Sequence, residues 1–67
     1  MTLTIKRHDG DAAKLSQAII PMQRAQRIKM AEWSPTDARM LMVTPQPGAE
    51  HELRALFADP EYDVKEI

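Results

Sequence analysis

The chain contains no cysteine, which excludes disulfide bonds, thiolate nucleophiles, Cys-based zinc sites and iron–sulfur clusters. It has only two glycines, Gly10 and Gly48, and therefore cannot form a glycine-rich phosphate-binding loop. Small secreted domains commonly depend on disulfide bonds for stability, so a cysteine-free chain of this size favours a cytoplasmic location.

An excess of charge of either sign is also lacking. The chain has 9 Lys and Arg residues and 10 Asp and Glu residues, which gives a net charge of −1. A balance so close to neutrality gives no overall positive field that would attract nucleic acid. The signs are nevertheless unevenly distributed, since basic residues predominate in residues 6–29 and acidic residues in residues 50–66. This asymmetry is compatible with one basic and one acidic side of the molecule, but an ordinary solvated surface explains it more simply.

Long hydrophobic runs are absent, and no stretch approaches the roughly 20 apolar residues of a membrane span. Residues 1–6 also lack the apolar run of a targeting segment. We therefore expect a single small domain over residues 1–67, located in the cytoplasm, with no membrane association. A domain of this size buries only about 60% of its unfolded surface, so a partner or a second copy would add materially to its stability.

The N-terminal part of the chain predicts a strand followed by a helix. Residues 2–6 alternate polar and apolar, and residues 12–22 carry apolar side chains at intervals of three and four. Asp9 or Asp11 is suited to cap the helix. Pro21 leaves two alternatives, because the helix either ends near Ile20 or kinks there and continues to Gln26.

Residues 27–44 contain two apolar-rich segments separated by Ser34-Pro35-Thr36-Asp37, which favours a turn. We interpret residues 27–33 and 38–44 as the two strands of a β-hairpin. The alternative is that a kinked helix continues to Trp33, although this would give a poor apolar stripe. Residues 38–44 are almost continuously apolar, which is typical of a central strand.

Residues 49–59 predict a second helix with Leu53, Leu56 and Phe57 buried, and residues 62–67 predict a short edge strand. The resulting order is β-α-β-β-α-β. It predicts a compact α+β, ferredoxin-like fold, with a four-stranded antiparallel sheet and both helices on one face. The alternative order is β-α-β-α with one long kinked helix.

Residues 53–67 resemble the closing helix and strand of small heavy-metal-associated domains, which have the same element order and a similar length. Those domains are defined by Cys-x-x-Cys after the first strand. Here His8-Asp9-Gly10-Asp11 stands in its place, so the metal-binding function does not carry over.

Strand alternation predicts which side chains contact the helices. The inward set is Leu3, Ile5, Ile28, Met30, Leu41, Val43 and Val64, and the outward set includes Thr2 and Thr4. The outward set also contains the candidate partner-binding residues, which combine apolar anchors with positive charge: Lys6, Arg27, Lys29, Trp33, Met40 and Met42. An uncovered apolar patch of this kind is typical of a contact surface, and methionine packs well against varied shapes. The alternative is the opposite register, with Met40 and Met42 in the core and Leu41 and Val43 facing outward or into a dimer.

The sequence offers no catalytic constellation, cofactor motif or metal-ligand pattern. His8 and His51 are expected at opposite ends of the sheet, and no nucleophile has a neighbouring base in sequence. The methionines admit a thioether site for Cu(I), but core packing explains them more simply. We therefore predict that the protein is not an enzyme and has no metal or cofactor.

These observations predict a small non-enzymatic protein-binding module: an adaptor, regulator or inhibitor that uses an open sheet face or a sheet edge. The expected partner is a protein, including a second copy of the chain in a homodimer. The alternative is a single-stranded nucleic-acid-binding module that uses the same face. Base stacking on such a sheet requires aromatic side chains, and Trp33 is the only candidate in the predicted strands of the hairpin.

Overall fold

The computed structural model describes all 67 residues and has the element order β-α-β-β-α-β. The strands are β1 (Leu3–Arg7), β2 (Ile28–Trp33), β3 (Met40–Pro45) and β4 (Tyr62–Glu66). The helices are α1 (Ala12–Arg24) and α2 (Glu50–Leu56). Neither helix has the length and apolar character needed to cross a membrane.

The four strands form one sheet in the order β2-β3-β1-β4, and every neighbouring pair is antiparallel. This is the ferredoxin-like strand order, and it confirms the predicted fold class. The alternative β-α-β-α order is wrong, because the chain leaves the helix before β2. Gln26 adopts a left-handed conformation with φ 58° at this point, which ends the helical path.

Helix α1 begins at the predicted cap and continues past its proline. The Asp11 carboxylate accepts a hydrogen bond from the Lys14 backbone N–H at 3.0 Å. Pro21 lies inside the helix, which extends to Arg24, so the prediction of an end near Ile20 is wrong and the prediction of continuation is confirmed. Leu15 and Met22 are buried on either side of the proline, and this burial favours continuation of the helix despite the missing hydrogen bond.

The core lies between the two helices and one face of the sheet. Its ten buried residues are Leu3, Ile5, Leu15, Ile19, Met22, Leu41, Val43, Ala49, Leu53 and Phe57. Helix α2 is shorter than predicted, and Leu53 is its only buried residue. Leu56 was expected to be buried but is 38% exposed. The buried line along α2 follows i, i+4 and i+8 from Ala49 through Leu53 to Phe57, and Leu56 lies to one side of it.

A β-bulge in β2 changes which side chains face the core. Ile28 pairs with Pro45 and Met30 pairs with Thr44, so Lys29 is an extra residue on β2. From Met30 onward the alternation is therefore reversed relative to that of an unbroken strand. Ala31 packs against the core in place of Met30.

Candidate functional site

One face of the sheet has no helix above it, and its composition follows from the strand register. On β1, Leu3 and Ile5 are buried beneath the helices while their neighbours are only partly buried. Residues paired across strands share a face, so the β1 pattern extends to the other three strands. The resulting set, which we call the open face, is Thr2, Thr4, Lys6, Met30, Glu32, Met40, Met42, Thr44, Asp63 and Lys65.

Three methionines form the apolar part of the open face. Met42 on the central strand β3 lies opposite Thr4 of β1 and Glu32 of β2. Met40 and Met42 are partly buried by their neighbours, whereas Met30 on the edge strand is 36% exposed. The result is a band of flexible thioether side chains across β2 and β3, with polar side chains at its borders.

The polar groups at two borders of this band are already engaged with one another. The Thr2 and Thr44 hydroxyl oxygens are 2.8 Å apart. At the other end, Lys6 Nζ donates to Asp37 Oδ2 at 2.7 Å, and the Arg39 backbone N–H donates to Asp37 Oδ1 at 3.0 Å. The Lys6 hydrogen bond, with the Arg39 N–H second, lowers the pKa of Asp37 below its ordinary value of 3.8.

Lys29 contributes a positive charge beside the band. It is exposed, makes no ion pair, and lines a shallow hollow with Thr44 and Met1 at one end of the sheet. The bulge residue Lys29 therefore adds a positive charge at this end of the sheet, in a hollow that Glu50 also lines. Of the six candidate residues, the structure brings together Lys6, Met40 and Met42 on the open face with Lys29 at its margin.

Arg27 and Trp33 do not lie on the open face, and the predicted facing of both residues is wrong. The Arg27 guanidinium donates to Glu52 Oε1 of α2, at 3.1 Å from Nε and 2.6 Å from Nη2. Trp33 pairs with Leu41 and so lies on the helix side of the sheet, where it is 40% exposed. The bulge explains why Trp33 lies on the helix side of the sheet. It also places Met30, which was expected in the core, on the open face.

Arg7 forms the main charged cluster outside the open face, and the sequence reasoning missed it. Arg7 is only 8% exposed to solvent. Nε and Nη2 donate to the two carboxylate oxygens of Asp9 at 3.0 and 2.8 Å, and Nη1 lies 3.3 Å from Glu61 Oε2. The guanidinium also lies 5.4 Å from the centre of the Tyr62 ring, which packs edge-on against Phe57.

The role of this Arg7 cluster is structural. Its ion pairs connect the end of β1 to the following turn through Asp9 and to the start of β4 through Glu61. The hydrogen bond with Arg7 holds the pKa of Asp9 well below its usual range, and the Asp11 backbone N–H adds to this. A signal was present in the sequence, because Arg7 continues the spacing of Leu3 and Ile5 and should therefore face inward.

The two histidines are separated by the sheet. His8 directly follows β1, whereas His51 lies in the first turn of α2, beyond the opposite end of the antiparallel strand β3. No group of three or more His, Asp or Glu side chains is arranged to hold a metal ion.

Comparisons of the chain with protein-family models, curated proteins and solved structures give no significant match. The geometry and charge of the molecular surface are therefore the basis for inferring a function.

Proposed function

We propose that the protein is a non-enzymatic protein-binding module that docks a protein partner on its open face. The observation that carries this proposal is the placement of Met30, Met40 and Met42 on the side of the sheet that no helix covers. A sheet of this size has enough helical cover for one face only. A partner that covers the apolar side chains on the second face removes them from water, which contributes favourably to the free energy of binding.

The surroundings of the methionines suit a protein surface as partner. Their thioether side chains adapt to varied shapes, and the free ammonium group of Lys29 orients an acidic group of the partner. Lys6 is already bound to Asp37 and presents a neutral pair. The docking surface is therefore a narrow apolar band with one unpaired positive charge, Lys29, at its margin and one unpaired negative charge, Glu32, beside Met42.

The role that fits this surface is stoichiometric: an adaptor, regulator or inhibitor acting in the cytoplasm. A small domain without disulfide bonds is typical of reducing compartments. A nucleic-acid-binding role is less well supported, since the open face carries no aromatic side chain on which bases would stack.

The test compares two lysine substitutions on the open face with one on the opposite side of the molecule, where an equally exposed apolar residue serves as the control. Met30 on the open face and Ile20 on α1 are each 36% exposed. The immobilised wild-type chain captures partners from a cell lysate, and mass spectrometry identifies each one. Each partner is then purified and titrated against Met30→Lys, Met42→Lys and Ile20→Lys.

We expect the two open-face variants to weaken binding at least about tenfold, because a charge is buried against an apolar contact. Ile20→Lys should bind like the wild type. Circular dichroism checks that each variant is folded. Equal loss in Ile20→Lys, or no loss in the open-face variants, would contradict the proposal. Binding of a single-stranded oligonucleotide that weakens steeply with salt would favour the nucleic-acid alternative.

A further inference from the structure

The outer edge of β4 presents a regular row of backbone groups that pair with no other strand. Two hydrogen bonds show which residues of β4 direct their backbone groups towards β1. The His8 N–H donates to the Glu61 carbonyl at 2.9 Å, and the Ile67 N–H donates to the Thr2 carbonyl at 3.0 Å. Antiparallel pairs alternate between bonded and non-bonded residues. The alternate residues Tyr62, Val64 and Glu66 therefore direct their backbone groups away from β1, and of these groups the Tyr62 N–H alone is engaged, since it donates to the Asp59 carbonyl at 3.1 Å.

This row is complementary to a second copy of itself. In an antiparallel pair with its two-fold axis at Val64, Val64 meets the partner's Val64, and Tyr62 meets the partner's Glu66. Val64 then donates to and accepts from the partner's Val64, and the Glu66 N–H of each strand donates to the partner's Tyr62 carbonyl. The register of β4 against β1 is continuous over five residues, so no irregularity interrupts the pairing.

The charges on β4 select this register. Asp63 lies opposite the partner's Lys65, and Lys65 lies opposite the partner's Asp63, both at the closely spaced non-bonded positions. Shifting the axis by one residue in either direction sets Asp63 against the partner's Asp63 or Lys65 against the partner's Lys65. Within one chain these two side chains are 3.8 Å apart and 48–73% exposed, so both remain available to a partner strand.

The other sheet edge, β2, does not offer the same match. The bulge at Lys29 breaks its regular spacing. The Ser34 N–H donates to the Met40 carbonyl, so Ala31 and Trp33 carry the outward-directed backbone groups. Pairing those residues with a second β2 strand sets Glu32 directly against the partner's Glu32, which is repulsive.

We propose that two copies of the chain associate through their β4 edges, in the register centred on Val64, to form one continuous eight-stranded antiparallel sheet. A two-fold axis perpendicular to the sheet keeps all four helices on one side. The two open faces then lie side by side on the other. This inference goes beyond the docking function, and it predicts a divalent docking surface that gains affinity for a partner with two matching sites.

The interface is small, because it joins two five-residue strands. We therefore expect a reversible dimer with a dissociation constant on the order of micromolar to millimolar. Sedimentation equilibrium over this concentration range should show the mass rising from 7.6 kDa towards twice that value.

Two charge reversals test the register. Asp63→Lys gives a strand with two lysines, and Lys65→Asp gives a strand with two aspartates, so each variant alone places like charges opposite each other in the pair. We expect each to weaken self-association by roughly thirtyfold. Lys65→Asp is the cleaner variant, because Lys65 faces Thr4 within its own chain, whereas Asp63 faces Lys6.

Mixing the two variants provides the decisive measurement, because every Lys then faces an Asp in a mixed pair. We expect a 1:1 heterodimer at least as stable as the wild-type dimer, which also shows that both variants are folded. Glu32→Lys on the other edge should leave self-association unchanged. A wild-type chain that stays monomeric at millimolar concentration overturns the proposal, as do reversals without effect or a mixture without heterodimer.

The same measurements distinguish the dimer from the docking function. Met42→Lys should dimerise like the wild type while losing its partner. Glu66→Pro, which lies on the helix side of β4 and removes an outward-directed N–H, should be monomeric and still bind one site of that partner. Loss of dimerisation in Met42→Lys would place the self-association on the open face and overturn the β4 assignment.

Discussion

Truncating Leu53 should destabilise the protein far more than truncating Leu56, although both leucines belong to the seven-residue helix α2. Leu53 is fully buried and is the only buried residue of that helix. Leu56 is 38% exposed. A helix of seven residues does not form alone in water, so α2 depends on this one packing contact and on its flanking residues Ala49 and Phe57.

The expected magnitudes follow from burial. Leu53→Ala removes a buried side chain and leaves a cavity, which costs about 2–5 kcal/mol. Leu56→Ala should cost at most about 1 kcal/mol, because much of its side chain is already in water. A chain of 67 residues has a total stability of about 3–10 kcal/mol, so Leu53→Ala removes a large part of it.

Urea unfolding, followed by Trp33 fluorescence for the sheet and by far-ultraviolet circular dichroism for the helices, measures both variants. We expect Leu53→Ala to lower the midpoint by roughly 2 M or to unfold without urea, since the slope for a small domain is about 1 kcal/mol per M. The two probes should coincide. Equal effects of the two truncations would refute the argument that Leu53 holds α2 over the core face.

Two further predictions concern Pro21 and the paired carboxylates. Pro21→Ala restores a helical N–H inside α1 and should raise the free energy of unfolding by about 1–3 kcal/mol, measured by urea unfolding; no gain would show that the helix had already adapted to the proline. The pKa values of Asp9 and Asp37 are lowered by Arg7 and Lys6, so the unfolded chain binds protons more readily at these residues. Their contribution to stability is complete above the ordinary pKa of 3.8 and is lost as the pH falls below it. Asp9→Asn should therefore flatten the decline of the urea midpoint on acidification, and an unchanged decline would contradict this assignment.

The fold was accessible from the sequence because the periodicities were local and consistent. Leu15, Ile19 and Met22 recur at helical spacing, and the apolar run that contains Leu41 and Val43 is bounded by turn formers. Antiparallel hairpin pairing and right-handed connections then leave few arrangements for two helices and four strands.

The facing of β2 was not accessible, because a bulge leaves no mark in a single sequence. One extra residue at Lys29 exchanges the roles of Met30 and Ala31 and moves Trp33 to the helix side. The sequence therefore predicted an open face on the correct side of the central strands, but with the wrong members on the edge strand. The position of Arg27 depended on a tertiary contact with Glu52, which no local pattern encodes.

The interrupted spacing of β2 also bears on how large an assembly this chain can build. A sheet with two equivalent borders can recruit molecules without limit and grow into a fibre. Here the two edge strands differ, since β4 is regular and β2 contains the bulge. When two molecules pair through β4, both outer edges of the eight-stranded sheet are β2 strands with a bulge. A third molecule then finds no regular edge to pair with, and the assembly stays a dimer.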